Sequence, residues 1–232
     1  MLFSRMSYPE LISLHIPKTA GTSFRNILKN VYGDNEVAMF NIELNGQVRM
    51  NNRVYEEKAL PKVRVVHGHF VYRTFFERFQ IPGDAKVITW VRDPVARVLS
   101  NYYYLESRIK ELLDEERNNL DILSKLQRTL MEFARAEVNR NRQAKFLMGS
   151  EPGDFAFVGI SEFFEEEIKR LSTIFGWKHV PEILHHNQTP KKPTQLSEEI
   201  LGEIRALNEE DEKVYQRALE IRNNLAQKNG ES

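Results

Sequence analysis

The segment from Pro17 to Ser23, which reads Pro-Lys-Thr-Ala-Gly-Thr-Ser, carries one lysine, three hydroxyl side chains and several small residues directly after a short apolar run. A small-residue turn between a strand and a helix presents backbone N–H groups at the positive end of the helix dipole, where phosphate or sulfate binds. The lysine adds a positive charge, and the hydroxyl groups add hydrogen-bond donors. The predicted anion site consists of Lys18, Thr19, Ala20, Gly21, Thr22 and Ser23.

The order of residues in this loop bears on the kind of anion. In an ATPase loop of the form G-x-x-x-x-G-K-[ST], the lysine follows the second glycine. Here Lys18 precedes Gly21, and the first glycine of that pattern is missing. The order therefore argues against a nucleoside triphosphatase. The alternative interpretation is an ordinary strand-to-helix turn with a lysine on the surface.

A second candidate anion site lies in residues 92–100, which read Arg-Asp-Pro-Val-Ala-Arg-Val-Leu-Ser. Asp93 as N-cap and Pro94 as first helical residue predict a helix that begins here. Arg92 ends the preceding strand and Ser100 lies about two turns into the helix, so a guanidinium and a hydroxyl could bind a phosphate. A capped helix with a surface arginine is the alternative. Arg97 could stabilise the helix or contact an acceptor.

Two histidines, His67 and His69, flank a glycine at the end of a β-branched run. A histidine with an ordinary pKa of about 6.5 is neutral at working pH and can act as a general base. The carboxyl edge of an α/β sheet is also where ligands bind. A metal would need further ligands, for which the sequence has no pattern nearby; two structural histidines are the other alternative. His15 is interpreted as a strand residue.

Short apolar runs alternate with helical patterns along the chain, which favours an α/β fold with a parallel sheet covered by helices on both faces. Residues 33–60 are expected to form an irregular excursion with weak strands, and residues 106–148 to be helical. A helical C-terminal segment is predicted over residues 197–227, with caps at Ser197 and Asn208. The predicted strands are 11–16, 63–66, 86–91 and 155–160.

Length and composition set further limits. The 232 residues include 33 Lys plus Arg and 33 Asp plus Glu, so the chain has no net field that would attract nucleic acid. The absence of cysteine excludes a disulfide framework and a thiolate metal site. The apolar run near the N-terminus is too short for a signal peptide or a membrane span. We expect one cytoplasmic domain over residues 1–232, with no nucleic-acid partner and no integral membrane segment; the oligomeric state stays open.

The motifs at residues 15–24, 67–69, 92–100 and 158–162 occur in the order found in carbohydrate sulfotransferases that use 3'-phosphoadenylyl sulfate (PAPS). The chain resembles this family, especially its uronosyl 2-O-sulfotransferase branch, from Leu14 to about Leu207. The resemblance implies a P-loop-like parallel sheet flanked by helices and PAPS as the sulfuryl donor. If Lys18 and the loop N–H groups stabilise the charge on the leaving group electrostatically, no metal is required.

The resemblance further assigns roles to residues. It implies that the loop at Lys18 binds the 5'-phosphosulfate and that Lys18 stabilises the leaving group. It implies that Arg92 and Ser100 bind the 3'-phosphate. His69 would be the base, with His67 as a helper or an acceptor contact. A lid over the donor is expected in residues 185–193, with donor contacts from Thr189, Lys191 and Lys192.

The departures from the family concern the acceptor. Animal members have a membrane anchor, cysteines and long inserts, which this chain lacks. We therefore expect a compact bacterial enzyme that sulfates a hydroxyl of a sugar or glycolipid, with a small metabolite as the alternative acceptor. Two rival functions remain. A nucleotide kinase or phosphotransferase would show magnesium-dependent ATP turnover, and a non-catalytic nucleotide-phosphate binding protein would bind the bisphosphate product without transfer.

Overall fold

The computed structural model describes residues 8–115, 129–179 and 196–230. A seven-stranded sheet forms the centre of this part of the chain. Its strands are β1 (Leu11–Leu14), β2 (Val37–Ile42), β3 (Val48–Met50), β4 (Arg53–Val54), β5 (Val65–Gly68), β6 (Lys86–Val91) and β7 (Phe157–Ile160). The helices are α1 (Gly21–Tyr32), α2 (Tyr72–Arg78), α3 (Pro94–Glu115), α4 (Leu130–Arg135), α5 (Arg142–Phe146), α6 (Phe164–Ile174), α7 (Glu198–Ala206) and α8 (Glu209–Gly230).

The strand order is β4-β3-β2-β5-β1-β6-β7, and the strands from β2 to β7 in this order run parallel. β3 and β4 extend one edge as antiparallel strands. The central β1 pairs with β5 on one side and β6 on the other, so the chain reverses its direction of winding there. Ligands bind at the carboxyl ends of strands around such a point. The predicted α/β class, with a parallel sheet flanked by helices, is confirmed.

The two faces of the sheet bury separate apolar clusters, because side chains alternate between the faces along each strand. On one face, α1 and α6 cover Leu11, Val65 and Ile88. On the other face, Ile12 and Val66 pack in a cluster to which α2, α5 and α8 contribute. The predicted helical C-terminal segment therefore closes one side of the sheet.

A third apolar cluster lies away from the sheet, among α3, α4 and α7. Val98 of α3 packs there beside Ala134 of α4 and Ile204 of α7, and all three side chains are buried. This cluster fixes the direction of α3, the helix that carries Arg97 and Ser100. The C-terminal segment thus also supports the helix that follows the second candidate anion site.

Several local predictions are confirmed and others are wrong. The Asp93 carboxylate accepts a hydrogen bond from the N–H of Ala96 at 2.7 Å, as an N-cap should, and Ser197 caps α7. The sequence also favours Ser161 as the cap of the helix that follows it, but the Ser161 hydroxyl instead donates to the carbonyl of Val91. Asn208 does not cap α8 with its side chain. The Asn141 side chain does so instead, by accepting bonds from the N–H groups of Glu210 and Asp211.

The largest difference concerns residues 33–60, which were expected to hold only weak strands. Val37–Ile42 forms β2, a strand inside the parallel part of the sheet, paired with β5. Its pairing partner lies far along the chain, so local composition could not reveal it. The irregular character expected for this region is found in β3 and β4, which are short and form the sheet edge.

Candidate active site

A cleft of about 700 Å³ opens at the carboxyl ends of β1, β5 and β6. Parallel strands place the residues that follow them at one edge of the sheet, and this edge gathers all three sequence motifs. The predicted site residues that line the cleft are Lys18, Ala20, Gly21, Thr22, Ser23, His69, Arg92 and Ser100.

The backbone of the loop between β1 and α1 is left-handed at two residues that are not glycine. Lys18 has φ 72° and Ala20 has φ 67°, a conformation that costs about 1–3 kcal/mol for each such residue. Within the part of the chain that the structure describes, no hydrogen bond occupies the N–H groups of Gly21, Thr22 and Ser23, since the first bond of α1 runs from Phe24 to Ala20. These N–H groups are therefore available to an anion.

Thr19 differs from the other loop residues because it is fully buried. Its hydroxyl donates to the carbonyl of Ile16 at 2.9 Å and so closes the turn from inside. The structure does not bring this side chain to the cleft, although the sequence placed it among the hydroxyl donors. Its local bond helps to hold the strained backbone of its two neighbours.

Two positive side chains lie side by side in the cleft. The Nζ atom of Lys18 is 3.7 Å from the centre of the Tyr104 ring, a cation–π contact. Burial, and then the charge of Arg92, lower the pKa of Lys18 to about 8. Arg92 donates through Nη1 to the carbonyl of Lys18 at 3.2 Å, while the carboxylate of Glu162 lies 3.8 Å from its Nε. Together they form a positive site beside the loop amides.

Ser100 is brought to the same cleft from the helix that follows Arg92. Ser100 is 4% exposed, and it lines the cleft with Asn101 and Tyr104 of the same helix. The predicted pairing of Arg92 with Ser100 in one pocket is therefore what the structure shows. Asn101 and Tyr104 were not predicted as site residues; their positions on the cleft face of α3 follow from that of Ser100.

His69 has one ring nitrogen fixed and the other unpaired within the described residues. Its Nδ1 lies 2.7 Å from the carbonyl of His15. A carbonyl can only accept, so Nδ1 carries the hydrogen and Nε2 carries the free lone pair. The backbone N–H of His69 donates to Asn41 at 2.9 Å. Burial lowers the pKa of His69, the bond to His15 opposes that shift, and Arg142 adds to it. The imidazole is thus neutral and oriented.

His67 lies behind the cleft and not in it. It is 1% exposed, and its Nδ1 is 2.9 Å from the hydroxyl of Ser13. Burial, and then the charges of His69 and Arg25, lower its pKa to about 3. The sequence placed His67 as a helper or an acceptor contact; the structure gives it no access to the cleft from this position.

His15 lines the cleft, although the sequence predicts only a strand residue at this position. Its ring stacks on His69 with ring centres 4.2 Å apart and on His67 with ring centres 5.1 Å apart. The register of the sheet explains this, since Leu14 pairs with Gly68 and the next residues are neighbours. If the pairing of β1 with β5 had been predicted, the position of His15 beside His69 would have followed from it.

Two glycines of the motifs are required by close approach. A Cβ atom on Gly21 would lie 1.7 Å from Nε2 of His15, and a Cβ atom on Gly68 would lie 1.8 Å from the carbonyl oxygen of Phe40. Real Cβ atoms do not approach other heavy atoms so closely. Gly21 therefore lets α1 contact the ring of His15, and Gly68 lets β5 pack closely against β2.

Arg97 does not face the cleft. Its side chain is 1% exposed and lies 3.5 Å from the carboxylate of Asp211, which is fully buried. Its Nη2 also donates to the carbonyl of Asn139 at 2.9 Å. Of the two roles left open by the sequence, the acceptor contact does not fit this placement. Arg97 joins α3 to α8 through a buried ion pair.

The polar residues near Arg142 also have structural partners. Gln143 is buried and exchanges two hydrogen bonds with the backbone of Arg92, at 2.8 and 2.9 Å. Asn139 donates to the carbonyl of Phe133. Arg142 is half-buried and lies over the ring of Phe146, at 5.2 Å from its centre. Gln143 thereby holds the strand end from which Arg92 enters the cleft.

The expected lid in residues 185–193, with Thr189, Lys191 and Lys192, lies outside the described residues. In the part that is described, no group of three or more histidine, cysteine, aspartate or glutamate residues is arranged to hold a metal ion. No helix of that same part is long and apolar enough to cross a membrane. The cytoplasmic location, the bacterial origin and the absence of a metal requirement stay predictions.

Part of this chain is similar in sequence to curated proteins. A stretch of 104 residues is 33% identical to heparan sulfate 2-O-sulfotransferase 1 of Gallus gallus and 32% identical to that of Homo sapiens. In both cases the alignment covers 41% of this chain and 29% of the relative. The match thus spans less than a third of the length of these curated relatives.

Two solved structures are also similar. A sulfotransferase from Alicyclobacillus acidocaldarius has 13% identity and a TM-score of 0.46, over 89% of this chain and 93% of that chain. Mouse sulfotransferase SULT7A1, complexed with PAP, has 14% identity and a TM-score of 0.43, over 85% of this chain and 62% of that chain.

The family comparison covers far more of the sequence than the curated relatives do. The model of the sulfotransferase family matches residues 5–221. This range includes the anion loop, His67 and His69, the Arg92 segment and most of the C-terminal helices. The resemblance seen in the motifs is thereby confirmed: the chain belongs to the sulfotransferase family.

Proposed function

We propose that this protein transfers a sulfuryl group from PAPS to a hydroxyl group of a carbohydrate or glycoconjugate. One observation carries the proposal. The free Nε2 of the neutral His69 shares a single cleft with the open N–H groups of the anion loop and with Arg92 and Ser100. A base and two anion sites in one cleft suit a donor with two phosphates and an acceptor that must lose a proton.

The donor would bind along the edge of the sheet. The N–H groups at the start of α1 and the ammonium of Lys18 would hold the 5'-phosphosulfate. Arg92 and Ser100 would hold the 3'-phosphate, which distinguishes PAPS from ATP. The carboxylate of Glu162, 3.8 Å from Nε of Arg92, leaves the guanidinium charged and limits its movement.

The transfer step follows from these positions. Nε2 of His69 takes the proton of the acceptor hydroxyl, and that oxygen attacks sulfur opposite the bridging oxygen of the phosphosulfate. A new S–O bond forms to the acceptor, and the bond from sulfur to the phosphate oxygen breaks. The electron pair of the broken bond leaves with 3'-phosphoadenosine 5'-phosphate (PAP). Lys18 and the loop N–H groups stabilise the charge that develops on that phosphate.

The acceptor class is supported by the names of the curated relatives, which are heparan sulfate sulfotransferases. A sugar or a glycolipid hydroxyl fits this class. We propose that residues 1–232 act as one domain, because the matched family region runs through nearly all of it. We also propose that the segment from residue 185 to residue 193 contributes Thr189, Lys191 and Lys192 to the donor site.

The proposal is tested by incubating the protein with ³⁵S-labelled PAPS and a panel of sugars, glycolipids and polysaccharides. We expect label to pass to at least one carbohydrate hydroxyl, with one PAP formed for each sulfate transferred. Calorimetry with PAP and with ATP, with and without magnesium, completes the test. We expect PAP to bind much more tightly than ATP and without magnesium.

Other outcomes would overturn the proposal. Magnesium-dependent turnover of ATP would identify a kinase or phosphotransferase. Tight binding of PAP without transfer to any acceptor in the panel or in cell extracts would identify a nucleotide-phosphate binding protein.

A further inference from the structure

His15 is the middle member of a stack of three imidazole rings, which we call the histidine stack (His67, His15 and His69). The ring centres of His15 and His69 are 4.2 Å apart with an interplanar angle of 30°, and those of His15 and His67 are 5.1 Å apart at 22°. The stack runs from the buried His67 to the cleft-facing His69. The sequence motif at residues 15–24 contains His15, but the proposed chemistry leaves it without a role.

The ring of His15 also touches the anion loop. The position of a Cβ atom on Gly21 would fall 1.7 Å from Nε2 of His15, so the ring lies directly against the first residue of α1. One side chain therefore contacts both the candidate base and the helix whose N–H groups would hold the donor. The distance between base and donor depends on this contact, because no other side chain among the described residues stacks on His69 as closely.

The backbone of His15 makes a separate contribution. Its N–H donates to the carbonyl of Gly68 at 2.8 Å, and its carbonyl accepts the bond from Nδ1 of His69 at 2.7 Å. The second of these bonds sets the tautomer of His69, and neither involves the side chain at position 15. Replacing the His15 side chain thus tests the ring contact alone.

A proton relay through the stack does not fit this geometry. The lone pairs of an imidazole lie in the plane of its ring, and nearly parallel stacked rings do not point their nitrogen atoms at each other. Nδ1 of His15 is buried without a partner in the described part of the structure, as is Nε2 of His67. The ring of His15 therefore acts by contact and by excluding water.

We propose that the His15 side chain is a positioning residue that holds the imidazole of His69 against the anion loop in the geometry needed for proton removal. This inference rests on the proposed function, since it assumes that His69 is the base. The ring fills the space between base and donor helix, and so keeps Nε2 of His69 at a fixed distance from the sulfur. Misplacement by about 1 Å can cost on the order of 10²-fold in rate.

The charged and titratable groups around His69 determine how its titration responds. His15 faces it within the stack, and His67 lies on the far side of His15. Arg142 acts on His69 from α5, and Lys18 and Arg25 act on His15 from the loop and α1. Burial is the largest cause of the lowered pKa of His69. Removing the ring of His15 admits water, so the pKa of His69 rises toward its ordinary value.

The experiment compares His15→Ala with His15→Phe, which keeps a planar ring without nitrogen atoms. We expect kcat to fall by about 10- to 100-fold in the alanine variant, with PAP affinity little changed. The acidic limb of its kcat profile moves to higher pH, because a raised pKa leaves less neutral His69 at a given acidic pH. The phenylalanine variant recovers most of the lost kcat. Melting temperatures and circular dichroism check that both variants are folded.

NMR titration of the His69 Cε1–H signal in the protein without donor gives a readout that needs no activity. If no acceptor is ever found, the proposed function fails, but the titration midpoint of His69 should still be higher in His15→Ala than in the unmodified protein. The NMR titration therefore separates failure of this inference from failure of the proposed function. An unchanged titration of His69 in a folded His15→Ala variant would overturn the inference. So would equal losses of kcat in the alanine and phenylalanine variants, or a loss of PAP affinity as large as the loss of kcat.

Discussion

Two regions of this protein differ in whether their polar groups already have partners. In the cleft, the loop N–H groups and Nε2 of His69 have no partner within the described residues. In the joint between α3 and α8, which we define by Arg97, Asp211 and Asn141, the polar side chains bond to one another or to the backbone. Both arginines of the segment 92–100 are half or fully buried, and only Arg92 lines the cleft.

The difference teaches how to separate binding groups from structural groups in one motif. A buried charge must be paired or hydrogen-bonded, because removal from water costs several kcal/mol. Arg97 satisfies this rule with a carboxylate on another helix, so it needs no ligand. In the cleft, Arg92 has Glu162 nearby, whereas the loop N–H groups and Nε2 of His69 have no partner among the described residues, and we propose that the donor and the acceptor supply one. Substitutions in the joint should therefore change stability, and substitutions in the cleft should change binding or rate.

The largest effect is expected for His69→Ala. Loss of a general base lowers kcat by about 10²–10⁴-fold, while the melting temperature and PAP affinity change little because the ring faces the cleft. Steady-state kinetics and calorimetry measure the two quantities. His179→Ala is a matched control, since His179 is exposed and lies outside this cleft; its kcat should equal that of the unmodified protein. A parallel loss of PAP affinity in His69→Ala would erase the distinction between base and donor site.

Arg97→Ala should have the next largest effect, and on stability. It leaves the carboxylate of Asp211 buried without its ion-pair partner, which costs about 3–5 kcal/mol in the free energy of unfolding. Urea denaturation measures this loss. Arg135→Ala removes an exposed ion pair with Glu203 and should change the midpoint little. If Arg97→Ala kept normal stability and lost PAP binding instead, Arg97 would belong with the cleft.

Arg92→Ala should weaken donor binding through the 3'-phosphate. A hydrogen bond to a charged group contributes about 1.5–3 kcal/mol, so PAP affinity should fall by roughly 10- to 150-fold. Adenosine 5'-phosphosulfate lacks the 3'-phosphate and serves as the control ligand; its affinity should fall much less. Calorimetry with both ligands decides the point, and equal losses for the two would contradict the assignment of Arg92.

The smallest effect concerns the pH dependence of donor binding. The pKa of Lys18 is lowered to about 8, so its ammonium loses its proton as pH rises through that value. PAP affinity should therefore fall above about pH 8, by at most about tenfold for each pH unit. Lys18→Arg keeps its charge throughout this range and should remove the decline. An identical pH dependence in the two proteins would show that Lys18 does not titrate at the donor site.

Local sequence was sufficient for a large part of the site. The residues of the anion loop, the cap at Asp93 and the bounds of β6 followed from patterns within a few positions. The pairing of Arg92 with Ser100 in one cleft followed from a strand and the helix directly after it. Such features depend on backbone conformation and on hydrogen bonds between near neighbours, which short sequences specify.

Other features required the tertiary structure. β2 was missed because its partner β5 lies far along the chain. The role of Arg97 stayed open until its pairing with Asp211 was visible, and His67 was placed at the cleft although it lies behind it.

His15 shows the same limit within the active site. The sequence by itself determined that a lysine, an arginine and a histidine follow three predicted strands. Only the register of β1 against β5 decided which histidine faces the cleft and which ring lies between the base and the anion loop. The physical reason is that side chains alternate across a sheet, so one residue of register separates the cleft from the core.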